Sequence, residues 1–137
     1  MMIAVLAMAL APALLQAKDV FVRHDPGGLV EDYWRKYEDM IERGDRIVID
    51  GWCASACTLA LGVPGTCVTR RAVLVFHAAH SFFEPNQPTL VDLFMQTYPP
   101  KLRKWIMARG GLKLGRGMKI KGKELAQLIP VCNKYEN

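Results

Sequence analysis

The run Asp50-Gly51-Trp52-Cys53-Ala54-Ser55-Ala56-Cys57-Thr58 constrains the fold of this chain more than any other stretch. Arg46-Ile47-Val48-Ile49-Asp50 is short, apolar and β-branched, the pattern of a buried strand, and Gly51 predicts where the backbone leaves it. Ala54 to Gly62 is small and apolar and predicts a short helix. A buried strand that turns sharply into a helix does so at a sheet edge, and it holds the corner residue exposed beside the helix's unpaired N–H groups. Ser55 is that corner residue. Serine is also a preferred helix N-cap, and on this segment alone the cap is the plainer reading.

Two other segments shift the balance. Upstream, Val20-Phe21-Val22-Arg23-His24 predicts a strand that runs into Asp25-Pro26-Gly27-Gly28. Adjacent glycines leave backbone N–H groups unshielded, so an oxyanion or a bound peptide can approach them closely. Downstream, Ala72-Val73-Leu74-Val75-Phe76 predicts another apolar strand, ending in His77, twenty-two residues after Ser55.

In this order the segments resemble the Clp protease proteolytic subunit and its relatives in the crotonase-like superfamily: strand, D-P-G-G, amphipathic helix, strand, C-A-S-A-C, then strand ending in F-H. The likeness is nearest to a secreted, cysteine-containing bacterial branch, and it covers Val20 to Ala78 well and the remainder loosely. It implies a compact α/β fold of repeated β-α units on a mostly parallel sheet, with a helical C-terminal part. It also implies site residues: Ser55 as nucleophile, His77 as general base, and the N–H groups of Gly28 and Ala56 as an oxyanion hole. His80 is the lesser candidate base because it falls beyond the strand. The family's orienting aspartate has no match here, since the corresponding stretch is Gly115-Arg116-Gly117-Met118. Glu124 and Asp92 are the candidate substitutes, although neither matches by motif.

At 137 residues the chain predicts a single domain, residues 18–137, behind a leader of residues 1–17. Met1 to Ala17 carry no charge and are too short to span a bilayer comfortably, which takes ~20 residues. They read as the apolar part of a signal peptide, with Leu15-Gln16-Ala17 at its cleavage site. The expectation is an exported, periplasmic or extracellular bacterial protein. Export suits Cys53, Cys57, Cys67 and Cys132, which allow two disulfides in three pairings, with Cys132 as the long-range tie. Zinc binding competes, but the paired C-x-x-C knuckles are missing. No metal and no cofactor are expected.

Leu29 to Arg43 predicts the most regular helix, with Leu29, Val30, Tyr33, Tyr37, Met40 and Ile41 at helical spacing. Glu31/Arg35, Asp32/Lys36 and Asp39/Arg43 predict ion pairs on its outer face, and Gly44 ends it. Cys67 to Thr69 predicts a short strand, and Phe82 and Phe83, in a polar loop, could line a substrate groove or equally pack under the loop. Helices are predicted from Thr89 to Tyr98, from Pro100 to Gly110 and from Lys123 to Leu128.

The formal charge of +5 is concentrated in residues 101–123, which hold nine bases and no acid. This region is expected as a solvated, loop-rich basic face, or as a contact for anionic lipid headgroups or acidic cell-wall polymers. No nucleic-acid motif accompanies it, so nucleic acid is not an expected partner.

Three functions fit. The first is a serine hydrolase acting on a polypeptide or a small acyl substrate. The second is a non-catalytic module that keeps the fold for binding or assembly, as a homo-oligomer or otherwise. The third is an acyl-thioester enzyme, which the serine and histidine disfavour because that chemistry moves protons with carboxylates.

Overall fold

The computed structural model describes residues 17–79 and 88–135. The leader, His80, Phe82 and Phe83 therefore lie outside the described residues, apart from Ala17. The chain folds as a mixed α/β unit. Its strands are β1 (Asp19–Asp25), β2 (Arg46–Ala54), β3 (Cys67–Val68), β4 (Val73–Phe76) and β5 (Met118–Lys121). Its helices are α1 (Val30–Arg43), α2 (Pro88–Thr97), α3 (Pro100–Ala108) and α4 (Gly122–Leu128), with 3₁₀ helices at Ser55–Gly62 and Asn133–Tyr135.

Strand β2 is the centre of the sheet. β1 pairs with it in parallel along one edge. On the other edge β3 pairs in parallel with Val48 and Ile49, and β4 pairs in parallel with Trp52 to Ala54. β5 then adds antiparallel to β4, from Val73↔Lys121 to Phe76↔Met118. The β1–α1–β2 unit has the length that a parallel crossover needs.

Two differences from the sequence reading have a clear physical reason. β2 does not end at Gly51 but continues to Ala54. Gly51 instead marks a close approach: a Cβ there would sit 2.0 Å from the Arg23 carbonyl oxygen, beside the register shift between Val22 and His24. The glycine lets the two strands close up rather than part. The second difference is β5, inside a region expected to be loop. Its inward residues are Met118 and the buried Ile120, while Lys119 and Lys121 point to solvent. Lysine on an edge strand discourages pairing with another chain, so the charge that masked this strand is ordinary for its position.

Helix α1 seals one face of the sheet through Tyr37 and Met40, with Val30 and Tyr33 packed beside them. Leu29 and Ile41, expected inside, are about half exposed (54% and 45%). The expected one-turn ion pairs do not form: Arg35 meets Asp32 at 2.9 Å, Lys36 reaches Asp25 at 3.8 Å, and Arg43 meets Asp45 at 2.9 Å. Gly44 ends the helix at φ 72°, the left-handed conformation that glycine adopts without strain.

The main core joins Ile47, Ile49, Leu74 and Phe76 of the sheet to Phe94, Tyr98, Leu102 and Ile106 of α2, α3 and the segment between them. On the opposite face a smaller cluster of Val48, Cys67 and Cys132, with Phe21 and Tyr135 against it, binds the C-terminal tail.

Candidate active site at the strand ends

The carboxyl ends of β1, β2 and β4 meet at one edge. Asp25 is opposite Cys53, and Ala54 is opposite Val75. Ser55 thus lies one residue, and His77 two residues, beyond the last paired position of neighbouring parallel strands. Such strands run about 4.8 Å apart.

Ser55 has φ +55°, and it is the only non-glycine residue with positive φ among the described residues. An L-residue held there costs roughly 1–2 kcal/mol, and strain of this kind gathers at functional corners. The N-cap reading fails, because the cap position is the extended Ala54 and no side chain caps this helix. The partly exposed Ser55 hydroxyl has no hydrogen-bond partner among the described residues.

Several groups hold the strained corner in place. Cys53 and Cys57, both fully buried, form a disulfide across it with Cα atoms 5.4 Å apart. Thr58 Oγ1 donates to the Ser55 carbonyl at 2.6 Å and so accepts from the Tyr98 hydroxyl, also at 2.6 Å. Burial pushes the Tyr98 hydroxyl well above its ordinary pKa, which keeps its proton in that chain. The Tyr37 hydroxyl donates to the Cys57 carbonyl at 3.0 Å. Burial, with the Asp25 charge adding to it, raises that hydroxyl as well.

The glycine pair divides its work. Gly27, at φ +86°, lies against the corner: a Cβ there would fall 2.6 Å from the Ala54 oxygen, 2.8 Å from Ser55 Cβ and 3.0 Å from the Ala56 nitrogen. Only glycine fits. Its N–H donates to Asp25 Oδ1 at 2.9 Å, and the Tyr33 hydroxyl donates to the same oxygen. Burial first, and the Asp25 contact second, raise the Tyr33 pKa, so it remains a donor. Gly28 is exposed, and its N–H has no acceptor among the described residues. Ala56 is the second residue of the 3₁₀ helix, where the first N–H groups have no partner within the helix. Of the two expected oxyanion donors, Gly28 follows Gly27 in the chain and the Ala56 nitrogen is close to Gly27.

His77 is half-buried. Its Nδ1 lies 2.8 Å from the Ala78 carbonyl oxygen. A carbonyl can only accept, so Nδ1 carries a proton, and in the neutral ring Nε2 then keeps its lone pair, the form a general base requires. No hydrogen bond joins His77 to Ser55 among the described residues. The candidate acids are elsewhere engaged or exposed: Glu124 Oε1 accepts from Trp105 Nε1 at 2.7 Å and from Arg109 at 3.0 Å, and Asp92 is exposed on α2. Neither hydrogen-bonds His77.

All four cysteines form disulfides, Cys53–Cys57 and Cys67–Cys132, so none remains as a zinc ligand. Paired cysteines persist in an oxidising compartment. No group of three or more His, Cys, Asp or Glu converges on a metal-sized space among the described residues. Nor is any helix among them long and apolar enough to cross a membrane. The chain matches no protein-family model and no curated protein sequence.

Sequence reasoning missed the Ala78 carbonyl, the contact between Gly27 and the serine, and the Thr58–Tyr98 link. The first depends on backbone direction, which no residue type encodes. The glycine pair signalled the second, but not which member would touch the corner. The third joins residues forty apart, and nothing local announces it.

Proposed function

We propose that this chain is an exported bacterial serine hydrolase, acting on peptide or small acyl bonds, with the Clp-protease/crotonase-like fold that its segment order resembles. The observation that carries the reading is the left-handed backbone of Ser55 at a strand-to-helix corner. A serine that only capped a helix would gain nothing from that strain. In this reading Ser55 Oγ attacks the carbonyl carbon and His77 Nε2 takes its proton. The N–H groups of Gly28 and Ala56 receive the charge that develops on the carbonyl oxygen. His77 then returns the proton to the leaving group, and water repeats the sequence to release the acyl group. The Ala78 carbonyl sets the imidazole tautomer, the task a carboxylate performs in most triads. A neutral carbonyl stabilises the imidazolium less than a carboxylate does, so turnover is expected to be slow.

A fluorophosphonate probe tests this directly, because Ser55 Oγ would form a bond to phosphorus and expel fluoride. We expect slow labelling of Ser55 that is absent in Ser55→Ala and strongly reduced in His77→Ala, while Glu124→Gln, Asp92→Asn and His80→Ala keep most of the rate. Wild type labelling no faster than Ser55→Ala would sink the hydrolase and favour the second reading, a binding or assembly module. One observation favours that reading: among the described residues no side-chain acid hydrogen-bonds His77.

A further inference from the structure

We propose that the end of α3 and the hairpin that follows it form a docking surface for a bilayer containing anionic lipids. Lys113 and Arg116 pair as an antiparallel bridge, which makes Leu114 and Gly115 the two-residue tip of a hairpin, with Gly115 at φ +69°. Leu114 is 38% exposed at this tip, and Met107, 62% exposed, projects from the last turn of α3. Gly110 and Gly111 join the end of α3 to this hairpin. A Cβ on Gly111 would meet Met107 Sδ at 3.9 Å, and one on Gly110 would meet Lys113 Nζ at 3.4 Å.

Along the sequence the charge here has one sign. Residues 101–123 hold nine bases and no acid, and among the described residues only Arg109 of these forms a salt bridge, to Glu124. Lysines on an edge strand would suffice to block strand pairing, and a soluble acidic polymer would need only the charge. Neither explains a leucine placed at a hairpin tip between Lys113 and Arg116, or an exposed methionine at the end of the preceding helix. Apolar tips inside a basic patch match a bilayer surface, where headgroups attract the bases and the acyl boundary accepts the side chains.

The patch also adjoins the candidate active site. The Ala78 N–H donates to the Lys113 carbonyl at 3.2 Å, so the base of the hairpin is tied to the segment that carries His77. Docking would bring the strand-end edge toward the headgroups. The inference stands whether or not Ser55 is reactive.

Co-sedimentation of the intact protein with phosphatidylcholine vesicles, with and without phosphatidylglycerol, tests it. Binding should require phosphatidylglycerol and weaken as salt is raised, since the screening length is only about 8 Å at physiological ionic strength. Each base near an anionic surface contributes a factor of about five, so Lys113→Glu with Arg116→Glu should lower the partition at least about 25-fold. Leu114→Ser with Met107→Ser keeps the charge and should lower it severalfold. All four side chains are exposed, so the variants should keep the wild-type melting midpoint, and Ser55→Ala should bind as wild type does. Equal binding to both vesicle types would overturn the proposal. So would full binding by the Leu114→Ser, Met107→Ser variant together with equally tight binding to soluble polyglutamate, which would assign the patch to acidic polymers.

Discussion

At the scale of single residues, the role proposed for Ser55 sets function against stability. The left-handed backbone costs an L-residue roughly 1–2 kcal/mol, while glycine adopts it freely but loses more entropy on folding, about 0.4–1 kcal/mol. Ser55→Gly should therefore be about 1 kcal/mol more stable than Ser55→Ala in urea unfolding, with both unlabelled by fluorophosphonate. If Ser55→Gly proves the less stable of the two, the corner is not strained and the strongest argument for a nucleophile goes with it. The serine and the glycine pair were legible in the sequence because their chemistry is local: small residues at a strand end, and N–H groups left bare. The orienting group for His77 was not legible. It is a main-chain oxygen, and its direction is fixed only once Ala78 is tied to Lys113.

At the scale of elements, the two disulfides do different work. Cys67–Cys132 closes a loop of sequence separation 65, whereas Cys53–Cys57 closes one of separation 4. In the chain-entropy account the long loop is worth about 4 kcal/mol and the short one about 2 kcal/mol. Replacing both members of each pair by alanine should reproduce that order in denaturant midpoints. Loss of Cys53–Cys57 should also slow serine labelling per folded molecule, because this bridge spans the corner. Loss of Cys67–Cys132 should not. Equal effects on labelling would mean that the short bridge does not hold the site. Strands of β-branched residues were readable from composition alone, as Ile47 to Ile49 show. Strand β5 was not, because Ile120 stands between two exposed lysines and only its pairing with Leu74 on β4 gives it a buried face.

At the scale of the whole molecule, Asp19 ties the start of the sheet to the end of the chain. Its carboxylate takes two hydrogen bonds from Arg46, at 2.9 and 2.8 Å, and one from the Tyr135 hydroxyl, with Lys134 Nζ 3.7 Å away. Tyr135 also packs edge-on against Phe21 with ring centroids 5.0 Å apart, so the tail is held by a ring and an ion cluster together. The Arg46 bonds foremost, then the Tyr135 bond, hold the Asp19 pKa down to about 2. An unfolded aspartate titrates near 3.9, so the folded state binds its proton later as pH falls. The stability from this carboxylate is therefore fully present above about pH 4 and is lost as pH falls through about 2. Asp50, whose pKa is lowered by hydrogen bonds from Arg71 and then Thr69, is acid-sensitive in the same direction, so the wild-type curve alone does not isolate Asp19. The difference between wild type and Asp19→Asn does, because separate sites add. Urea midpoints measured from pH 7 to pH 2 should show Asp19→Asn less stable at neutral pH, with the gap closing between about pH 4 and pH 2. Tyr135→Phe, which keeps the ring on Phe21, should show a smaller gap that closes in the same window. A gap that stays constant down to pH 2 would mean that the ring and Cys67–Cys132, not the Asp19 cluster, hold the tail.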